Sequence, residues 1–464
     1  MSRPGFIKTG VSLNPACLIT VQGLSVLLLE TSLGLLRLYA LCDSCLGRQF
    51  GMLIHGLTNE ERGRALKVLL TAEGHRRVLE GKKRDGVALL RTLASKGRFP
   101  EAQSTLTALG VKKIPPPEPC YLCGGVLEMV DERAAKVVEA LKGYRFRNFL
   151  IGVALPVAVV EREDEVRSRA KSRFGESIRG ELSRLIGKRV GEALGKPVEH
   201  KAPDILVVLD PFTDRLEVNM NPLYLAGRYV KAGKGLPQSS RLCPNCRGGG
   251  CEECKGSGRR LEDSVESLLA APVLNATGGV EAVLHTAVRE SPDTLVLGEG
   301  RPFILEVKKP KDRQVDLEAL TRTVNEANAG RLSVHELRFS GKEEVKRLKR
   351  SEKTEETYRA LVQAAEEVPA EKLEALEQAF KGVEVRQGTL KGRSAGKQRY
   401  LYESQVKPEG PTSFEVTVRL QGGLDPRGLI AGKGRETNPN MAEFLGTELD
   451  ITRLELINVE QEGF

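Results

Sequence analysis

The order of hydrophobic and polar positions predicts a mainly helical first part of the chain, followed by parts that mix helices and strands. Residues 31–41 form a mostly apolar run that predicts a buried helix, and the acidic pair Glu60 and Glu61 opens a helix that carries Leu66 and Leu70. The pattern stays helical to residue 125. Residues 1–30 are poorly patterned, so we expect an extension that folds little.

Residues 126–235 have the pattern of an α/β unit. The apolar runs Phe149–Val153 and Ile205–Leu209 predict buried strands, and residues 178–186 repeat apolar side chains at helical spacing between them. Alternation over residues 216–220 predicts a half-buried strand that Pro222 ends. We therefore expect strands and helices to alternate here.

Residues 261–464 predict a second large α/β domain. The pattern predicts, in chain order, a helix from Val265, a strand at Phe303–Val307, helices over 316–328 and 352–366, and strands at 416–420 and 451–460. A chain of 464 residues is too long for one small core, so division into domains is expected.

Cysteine spacing adds candidate metal chemistry. A two-residue gap lets both sulfurs of a C-x-x-C pair face one metal ion, and two pairs complete the tetrahedral thiolate site that zinc prefers. The same count would suit disulfides in a secreted protein, but the sequence has no secretory context, so metal is the better interpretation. Of nine cysteines only Cys17 is unpaired in this sense, and the pairs are Cys42/Cys45, Cys120/Cys123, Cys243/Cys246 and Cys251/Cys254.

The two halves of the cysteine set differ in context. Pro115–Pro117 is a stiff connector that leads to Cys120 and Cys123. A mostly helical segment separates these cysteines from Cys42 and Cys45, and a structural zinc bound by all four would hold the two ends of that segment together. Four thiolates leave no open position, which argues against a catalytic zinc there.

Residues 243–250 and 251–258 both fit C-x-x-C-x-G-x-G, a repeat that J-domain chaperones use in a zinc module. Its glycines permit positive φ, so backbone amides can turn toward the thiolates; a redox dithiol is the alternative.

Charge points to a polyanionic partner without deciding the matter. The formal net charge is +9 and the estimated pI is about 9.0. Nucleic acid is the usual partner of such a chain, although a solvated surface rich in Lys, Arg and Glu, as in thermophile proteins, explains the charge equally well.

Gln22, Glu30 and Arg37 interrupt the apolar run at 18–41, so we expect no membrane span and a cytoplasmic protein with reduced thiols.

Several blocks together resemble the archaeal tRNA pseudouridine synthases that act on positions 54 and 55 of the T-arm. Those similar to the N-terminal part of that family are LCDSCLGRQFG (41–51), TNEERGRALK (58–67) and CYLCGG (120–125). Those that look like its THUMP-type RNA-binding region are ESIRGELSRLIG (176–187), APDILVVLD (202–210) and NPLYLAGRYVKAGKGLPQ (221–238). Those that resemble its catalytic domain are LGEGRPFILEVKKPKDR (297–313) and YRALV (358–362).

The resemblance implies an α/β (α+β) chain with a mixed central sheet in its catalytic domain. The implied divisions are an extension at 1–30, a zinc-binding THUMP-like region at 31–240, a double cysteine knuckle at 241–260 and a pseudouridine synthase-like domain at 261–464. It further implies isomerisation of uridine in tRNA without an organic cofactor, with tRNA as partner and no protein partner implied. This reaction requires a carboxylate that acts as a nucleophile or as the partner of a cationic sugar, an Arg that holds the carboxylate, and an aromatic ring that holds the uracil.

The active-site motif departs from the family pattern. The family carries G-R-E-D-V-D-V-R before L-G-x-G-R-P-F, and the matching residues here are Val288 to Leu295. Arg289 matches the family's Arg, but the position of the catalytic Asp is Ser291. The next carboxylate is Asp293, which we predict to be the catalytic group if Pro292 redirects the loop.

Three other positions complete the predicted site. Tyr358 matches the tyrosine that stacks on the target base, and its alternative is a core tyrosine on an amphipathic helix. Arg301 is predicted to order the active-site strand or to bind phosphate. A later tyrosine of the family falls on Asp425. These replacements leave a second function open, a catalytically degenerate tRNA-binding or chaperone protein on the same scaffold.

Overall fold

The computed structural model describes residues 15–258, 260, 263–350, 354–388, 397–433 and 436–461, with side chains described from residue 27 onward. Within this part the chain forms two compact units. The first consists of residues up to 142 together with 148–219, and the second of residues 143–147 together with 220 onward.

The first unit is helical at its start and ends in a small sheet. Its helices are α1 (Pro15–Leu38), α2 (Asp43–Gly47), α3 (Asn59–Leu79), α4 (Lys83–Ser95), α5 (Pro100–Ala108), α6 (Val130–Ala140), α7 (Val157–Ala170) and α8 (Ile178–Leu194). Its strands, in the order β1-β2-β3, are β1 (Phe149–Val153), β2 (Ile205–Asp210) and β3 (Arg215–Met220). All three strands and the helix before β2 lie where the sequence predicts them.

Helix boundaries in this unit follow local chemistry. Thr58 begins α3 with a capping box: its hydroxyl accepts the N–H of Glu61 at 3.1 Å, and the Glu61 carboxylate accepts the N–H of Thr58 at 2.8 Å. The apolar helix predicted at 31–41 is present, but α1 already begins at Pro15. Residues 15–30 are therefore helical, whereas the sequence suggested little structure; residues 1–14 lie outside the described residues.

The second unit contains a ten-stranded sheet with helices packed against it. Its strands are β4 (Leu223–Lys231), β5 (Glu281–His285), β6 (Leu295–Lys308), β7 (Leu332–Ser340), β8 (Thr354–Ala364), β9 (Val383–Gln387), β10 (Lys397–Pro408), β11 (Ser413–Gln421), β12 (Thr437–Asn438) and β13 (Leu449–Gln461). Its helices are α9 (Val265–Thr277), α10 (Leu317–Ala327), α11 (Lys342–Leu348), α12 (Ala370–Ala379), α13 (Pro426–Ala431) and α14 (Met441–Leu445).

The sheet is mixed, as expected. Its strands follow the order β12-β9-β10-β11-β8-β13-β6-β4-β7, and β5 pairs with β6. The pairing of β13 with β6 is parallel, whereas β8 pairs antiparallel with both β11 and β13. Consequently β8 and β6, which carry the YRALV and GRPF blocks of the resemblance, lie near the middle of the sheet on either side of β13.

The helix predicted over 352–366 is wrong, because the structure has strand β8 there. Alternate residues from Thr354 to Tyr358 point to the buried face, the period of a strand. Hydrogen bonding to β11 on one side and β13 on the other fixes the strand, an effect that a local pattern of alanines and glutamates does not reveal. Tyr358 is therefore a strand residue, and its helical alternative is removed.

The division between units also differs from the expected one at residue 240. Strand β4 falls within the block that resembled the RNA-binding region, yet it lies between β6 and β7 in the sheet of the second unit. The two cysteine repeats at 243–258 also belong to the second unit. The strand joins this sheet because it is apolar on its buried face and pairs along most of its length with β6.

Candidate active site and metal centres

A glycine-containing irregularity in β6 aims Arg301 into the interior. Gly298 and Gly300 have φ of 61° and 74°, a region that favours glycine. A Cβ on Gly300 would lie 2.6 Å from the carbonyl oxygen of Tyr229. The ladder between β4 and β6 shifts register at this point, so that Arg301 lies opposite Tyr229. The G-x-G-R-P-F block thus encodes a local backbone path that positions one arginine.

Arg301 belongs to a buried charge network that holds the loop between β5 and β6. Its Nε donates to Oε2 of Glu290 at 3.0 Å, and Lys231 Nζ lies 2.9 Å from Oε1 of the same carboxylate. Lys231 also donates to the carbonyl oxygens of Ser291 and Pro292 at 3.3 and 3.2 Å. The side chains of Lys231 and Glu290 have no exposed surface. The loop backbone is therefore fixed from beneath by ionic contacts.

The network continues to β8. Arg301 Nη1 donates to Glu356 at 2.7 Å, and the Tyr358 hydroxyl donates to the other oxygen of Glu356 at 3.1 Å. Burial and the charge of Glu356 raise the pKa of Tyr358 well above its usual value, so its phenol stays protonated. Burial lowers the pKa of Arg301, but the charges of Glu356, Tyr358 and Glu290 outweigh it and the net pKa is raised. With Lys231 included, two cations balance two anions.

A cavity of about 630 Å³ opens above this network. Its volume is in the range of small-molecule and nucleotide sites. Its lining comes from the loop between β5 and β6 and from the turn that begins α13, together with residues of β8 and β13. The lining includes Arg289, Glu290, Ser291, Tyr358, Asp425 and Arg427, with Leu424 and Leu454 as apolar surface.

The turn at the start of α13 is held in a fixed position. The side-chain amide of Gln387 accepts the N–H of Asp425 at 2.8 Å and donates to the carbonyl oxygen of Asp425 at 3.2 Å. The carboxylate of Asp425 caps the helix by accepting the N–H of Arg427 at 3.2 Å. Nε of Arg427 is buried without a hydrogen-bond partner among the described residues. The turn is therefore held by its own hydrogen bonds, and Arg427 keeps one buried donor that no described residue uses.

The predicted site residues are only partly brought together. Arg289 and Tyr358 line the cavity, and so does Ser291, the residue at the position of the family's Asp. Asp293 is exposed and does not line the cavity, so its catalytic role stays a prediction. Arg301 lies beneath the cavity and is 2% exposed; its contacts support the structural role rather than phosphate binding.

Sequence reasoning missed four residues that build this site. Lys231 and Glu356 interrupt apolar strand patterns on buried faces, and a buried charge in such a position is the signal that was available. Gln387 carried no local signal because its partner Asp425 is distant in sequence, and nothing in the local pattern marks Arg427. Asp425 was noted only as a replacement for a tyrosine.

The first cysteine tetrad (Cys42, Cys45, Cys120 and Cys123) lies in the first unit. Its sulfur atoms all lie within 4.8 Å of one another, and those of Cys42 and Cys123 are 3.8 Å apart. Tetrahedral coordination at a zinc–sulfur distance of about 2.3 Å requires sulfurs about 3.8 Å apart. The N–H groups of Cys42, Cys45 and Gly125 point at tetrad sulfurs at 3.4 Å, an arrangement that favours thiolates. The tetrad can hold a metal ion.

The second cysteine tetrad (Cys243, Cys246, Cys251 and Cys254) joins the two repeats. Its sulfurs also lie within 4.8 Å of one another, and the pairs Cys243–Cys251 and Cys246–Cys254 are 3.8 and 3.7 Å apart. The N–H groups of Cys251 and Gly258 donate to the Cys254 sulfur at 3.1 and 3.2 Å, and they lower its pKa to about 6. The expected turning of backbone amides toward the thiolates is present, and this tetrad can also hold a metal ion.

The repeats of the second tetrad approach each other at glycines. A Cβ on Gly258 would lie 2.6 Å from the carbonyl oxygen of Gly248, and one on Gly250 would lie 2.8 Å from that of Gly256. All four have positive φ. All four glycines of the motif are thus favoured by conformation, and Gly250 and Gly258 also by close approach.

Comparison with known proteins fits this two-part organisation. Residues 133–210 match the family model described as "Pus10 THUMP domain, archaeal", and residues 224–460 match that described as "Pus10, C-terminal". The class is therefore that of a THUMP-containing protein with a large C-terminal α/β domain. No helix among the described residues is long and apolar enough to cross a membrane.

Full-length relatives are similar across both units. A protein of Methanothrix thermoacetophila named "tRNA pseudouridine synthase Pus10" is 34% identical over 438 residues, which cover 93% of this chain and 94% of its own. Proteins of the same name from Methanocaldococcus jannaschii and Methanopyrus kandleri are 34% and 35% identical; the matches cover 92% and 91% of this chain and 95% and 96% of theirs. The chain belongs to the Pus10 family.

Proposed function

We propose that this chain is a tRNA pseudouridine synthase that isomerises uridine in the T-arm, at positions 54 and 55. The observation that carries the proposal is the likeness to proteins named for this activity over more than nine-tenths of the chain, together with a nucleotide-sized cavity at the matching motif. The T-arm positions rest on the family resemblance of the sequence blocks.

The reaction is an isomerisation and needs no organic cofactor. The N1–C1′ bond breaks and its electron pair leaves with the uracil, so that positive charge develops at C1′. The base turns, a bond forms between C5 and C1′, C5 loses its proton and N1 gains one. A carboxylate beside C1′ stabilises the cationic sugar or attacks it, and the target nucleotide must first leave its stack.

The cavity offers groups suited to a flipped nucleotide. Leu424, Leu454 and Tyr358 form the apolar part of the lining, although only 1%, 2% and 3% of these residues is exposed. Arg289 and Arg427 also line the cavity and are suited to the flanking phosphates. The buried network under the loop keeps the wall rigid, which is what positioning of a reactive nucleotide demands.

The remaining parts of the chain are assigned to binding and stability. We propose that the THUMP-containing first unit recognises tRNA by shape and charge, because residues 133–210 match the THUMP model and the chain is basic. We propose that both cysteine tetrads hold structural Zn²⁺, since four thiolates fill the coordination sphere. Reduced thiolates and a tRNA substrate both favour a cytoplasmic location.

The test is incubation of purified protein with an unmodified tRNA transcript, followed by chemical mapping of pseudouridine. We expect modification at positions 54 and 55, and none at those positions in a transcript that carries cytidine there. Tight tRNA binding with no pseudouridine at any position would refute the enzymatic proposal and favour the degenerate tRNA-binding protein.

A further inference from the structure

Residues 51–57, the loop before α3 in the first unit, border a cavity separate from the one described above. Its volume is about 510 Å³, and its lining includes Met52, Ile54, His55, Leu57 and Arg184. We propose that this cavity binds an unpaired nucleotide of the tRNA, with the base against the apolar side chains of the loop. The inference rests on the proposed tRNA substrate and assigns one place where the first unit holds it.

The loop exposes large apolar side chains of a kind that folding usually buries. Met52, Ile54 and Leu57 are 64%, 66% and 41% exposed. The N–H of Met52 donates to the carbonyl oxygen of Phe174 at 2.9 Å, so the loop lies beside a fourth large apolar residue, which is 47% exposed. Apolar side chains grouped in this way mark an interaction site, whereas single exposed ones need no explanation.

Arg62, which is only 6% exposed, holds the loop in one conformation. Its Nε donates to the carbonyl oxygen of Leu53 at 3.0 Å, and its Nη2 donates to those of Ile54 and Leu57 at 3.1 and 3.3 Å. Ile54 has a φ of 60°, a left-handed conformation that a β-branched residue keeps only when its surroundings enforce it. A loop fixed in this way presents its side chains without the entropy cost of ordering them on binding.

The charges around the loop suit an RNA strand. Lys171 and Arg173 are exposed in the segment that leads to Phe174, and the side chain of Arg184, in the cavity lining, is 52% exposed. The carboxylate in the lining, that of Glu176, is neutralised by Arg184 at 3.0 Å. Exposed cations beside an apolar surface match a nucleotide, which has an anionic phosphate and a base with apolar faces.

The lining further favours a base that is not paired. Bases within a duplex are covered by their neighbours, whereas unpaired bases are free to stack on aromatic rings or on guanidinium planes. His55 supplies a ring and Arg184 a guanidinium in the lining, and Phe174 supplies a second ring beside the loop. The volume of the cavity is in the range of sites for small molecules and nucleotides.

The test is the tRNA affinity of the double variant Met52→Gln/Ile54→Asn, measured by filter binding at several salt concentrations. Asparagine adopts the left-handed conformation readily, so the loop keeps its path. We expect an affinity loss of about 10-fold, the order of one lost base contact. The slope of log affinity against log salt should not change, because no charge is removed. The matched control is Leu79→Gln/Val157→Asn, which replaces two exposed apolar side chains outside the cavity lining and should bind tRNA as the wild type does.

A photocrosslinking experiment tests the contact without any loss of affinity. A photoreactive phenylalanine analogue in place of Leu57, which is exposed, should label an unpaired nucleotide of bound tRNA. Labelling of paired nucleotides alone would overturn the inference, as would an equal affinity loss in the double variant and its control.

The outcomes also separate this inference from the proposed function. Unchanged tRNA affinity of the double variant, with pseudouridine still formed, overturns the binding site while the function stands, and it gives the apolar loop to a protein partner instead. Wild-type protein that forms no pseudouridine, but binds tRNA in a way that the double variant weakens, refutes the enzymatic proposal and supports the binding site.

Discussion

Glu290→Gln perturbs the centre of the buried charge network and leaves two buried cations, Lys231 and Arg301, with Glu356 as the remaining anion. At an effective dielectric constant of about 20, unit charges 3 Å apart attract by about 5.5 kcal/mol, and Glu290 lies that close to both cations. Burial of the carboxylate itself offsets much of this attraction. Removal of one partner from a buried pair leaves uncompensated charge, so we expect the unfolding free energy to fall by about 3–5 kcal/mol.

Urea unfolding followed by circular dichroism measures this loss, with the slope against urea concentration checked for change. The control is Glu281→Gln, which breaks the pair of Glu281 with Lys308 at 2.9 Å, where the side chains are 56% and 45% exposed. A surface pair of this kind contributes less than about 1 kcal/mol. Equal destabilisation by the two substitutions would refute the claim that burial makes the Glu290 network essential.

Further predictions concern the metal centres and the first unit. Purified protein should contain two zinc ions per chain by elemental analysis, and Cys120→Ser or Cys251→Ser should each lower this to one; one ion in the wild type would contradict a metal role for one tetrad. Burial raises the pKa of Glu181 to about 7. The folded protein therefore keeps a proton that the unfolded chain releases near pH 4.5, and stability should fall by at most about 3 kcal/mol as pH rises from 4.5 to 7. Glu181→Gln should remove this pH dependence of stability, measured by urea titrations at several pH values. An unchanged pH profile in the variant would contradict a raised pKa of Glu181 in the folded protein.

Much of the fold follows from local sequence pattern. Strands β1, β2 and β3 and the helices α8 and α10 lie where period and composition predict them, because β1 and β2 are apolar runs and the others repeat apolar residues at a regular period. Strand β8 does not, since Thr354 to Ala364 lacks a strong strand composition and depends on its neighbours β11 and β13. The sequence grouped residues 221–238 with the RNA-binding region, and it did not reveal that β4 joins the second unit for the same reason: strand pairing over long sequence separations is not visible locally.

The candidate site shows the same limit. Cysteine spacing predicts both tetrads, because two C-x-x-C pairs impose their own geometry wherever the chain brings them together. The family motif pointed to the loop between β5 and β6, and the structure places Arg289 and Ser291 of that loop on the cavity wall. The pattern could not reveal that Asp425 lines the same cavity as this loop, or that Lys231 and Arg301 share Glu290. These contacts join residues that are tens to hundreds of positions apart and depend on the register of β4, β6 and β8.

Release of tritium from tRNA labelled at C5 of uracil tests the central claim most directly. Formation of the C5–C1′ bond expels the C5 hydrogen, so turnover by this chain must transfer tritium to water. We predict release that approaches one equivalent for each target uridine, with release abolished when the target positions are cytidine. Retention of all tritium in tRNA that is bound to saturation would contradict the account.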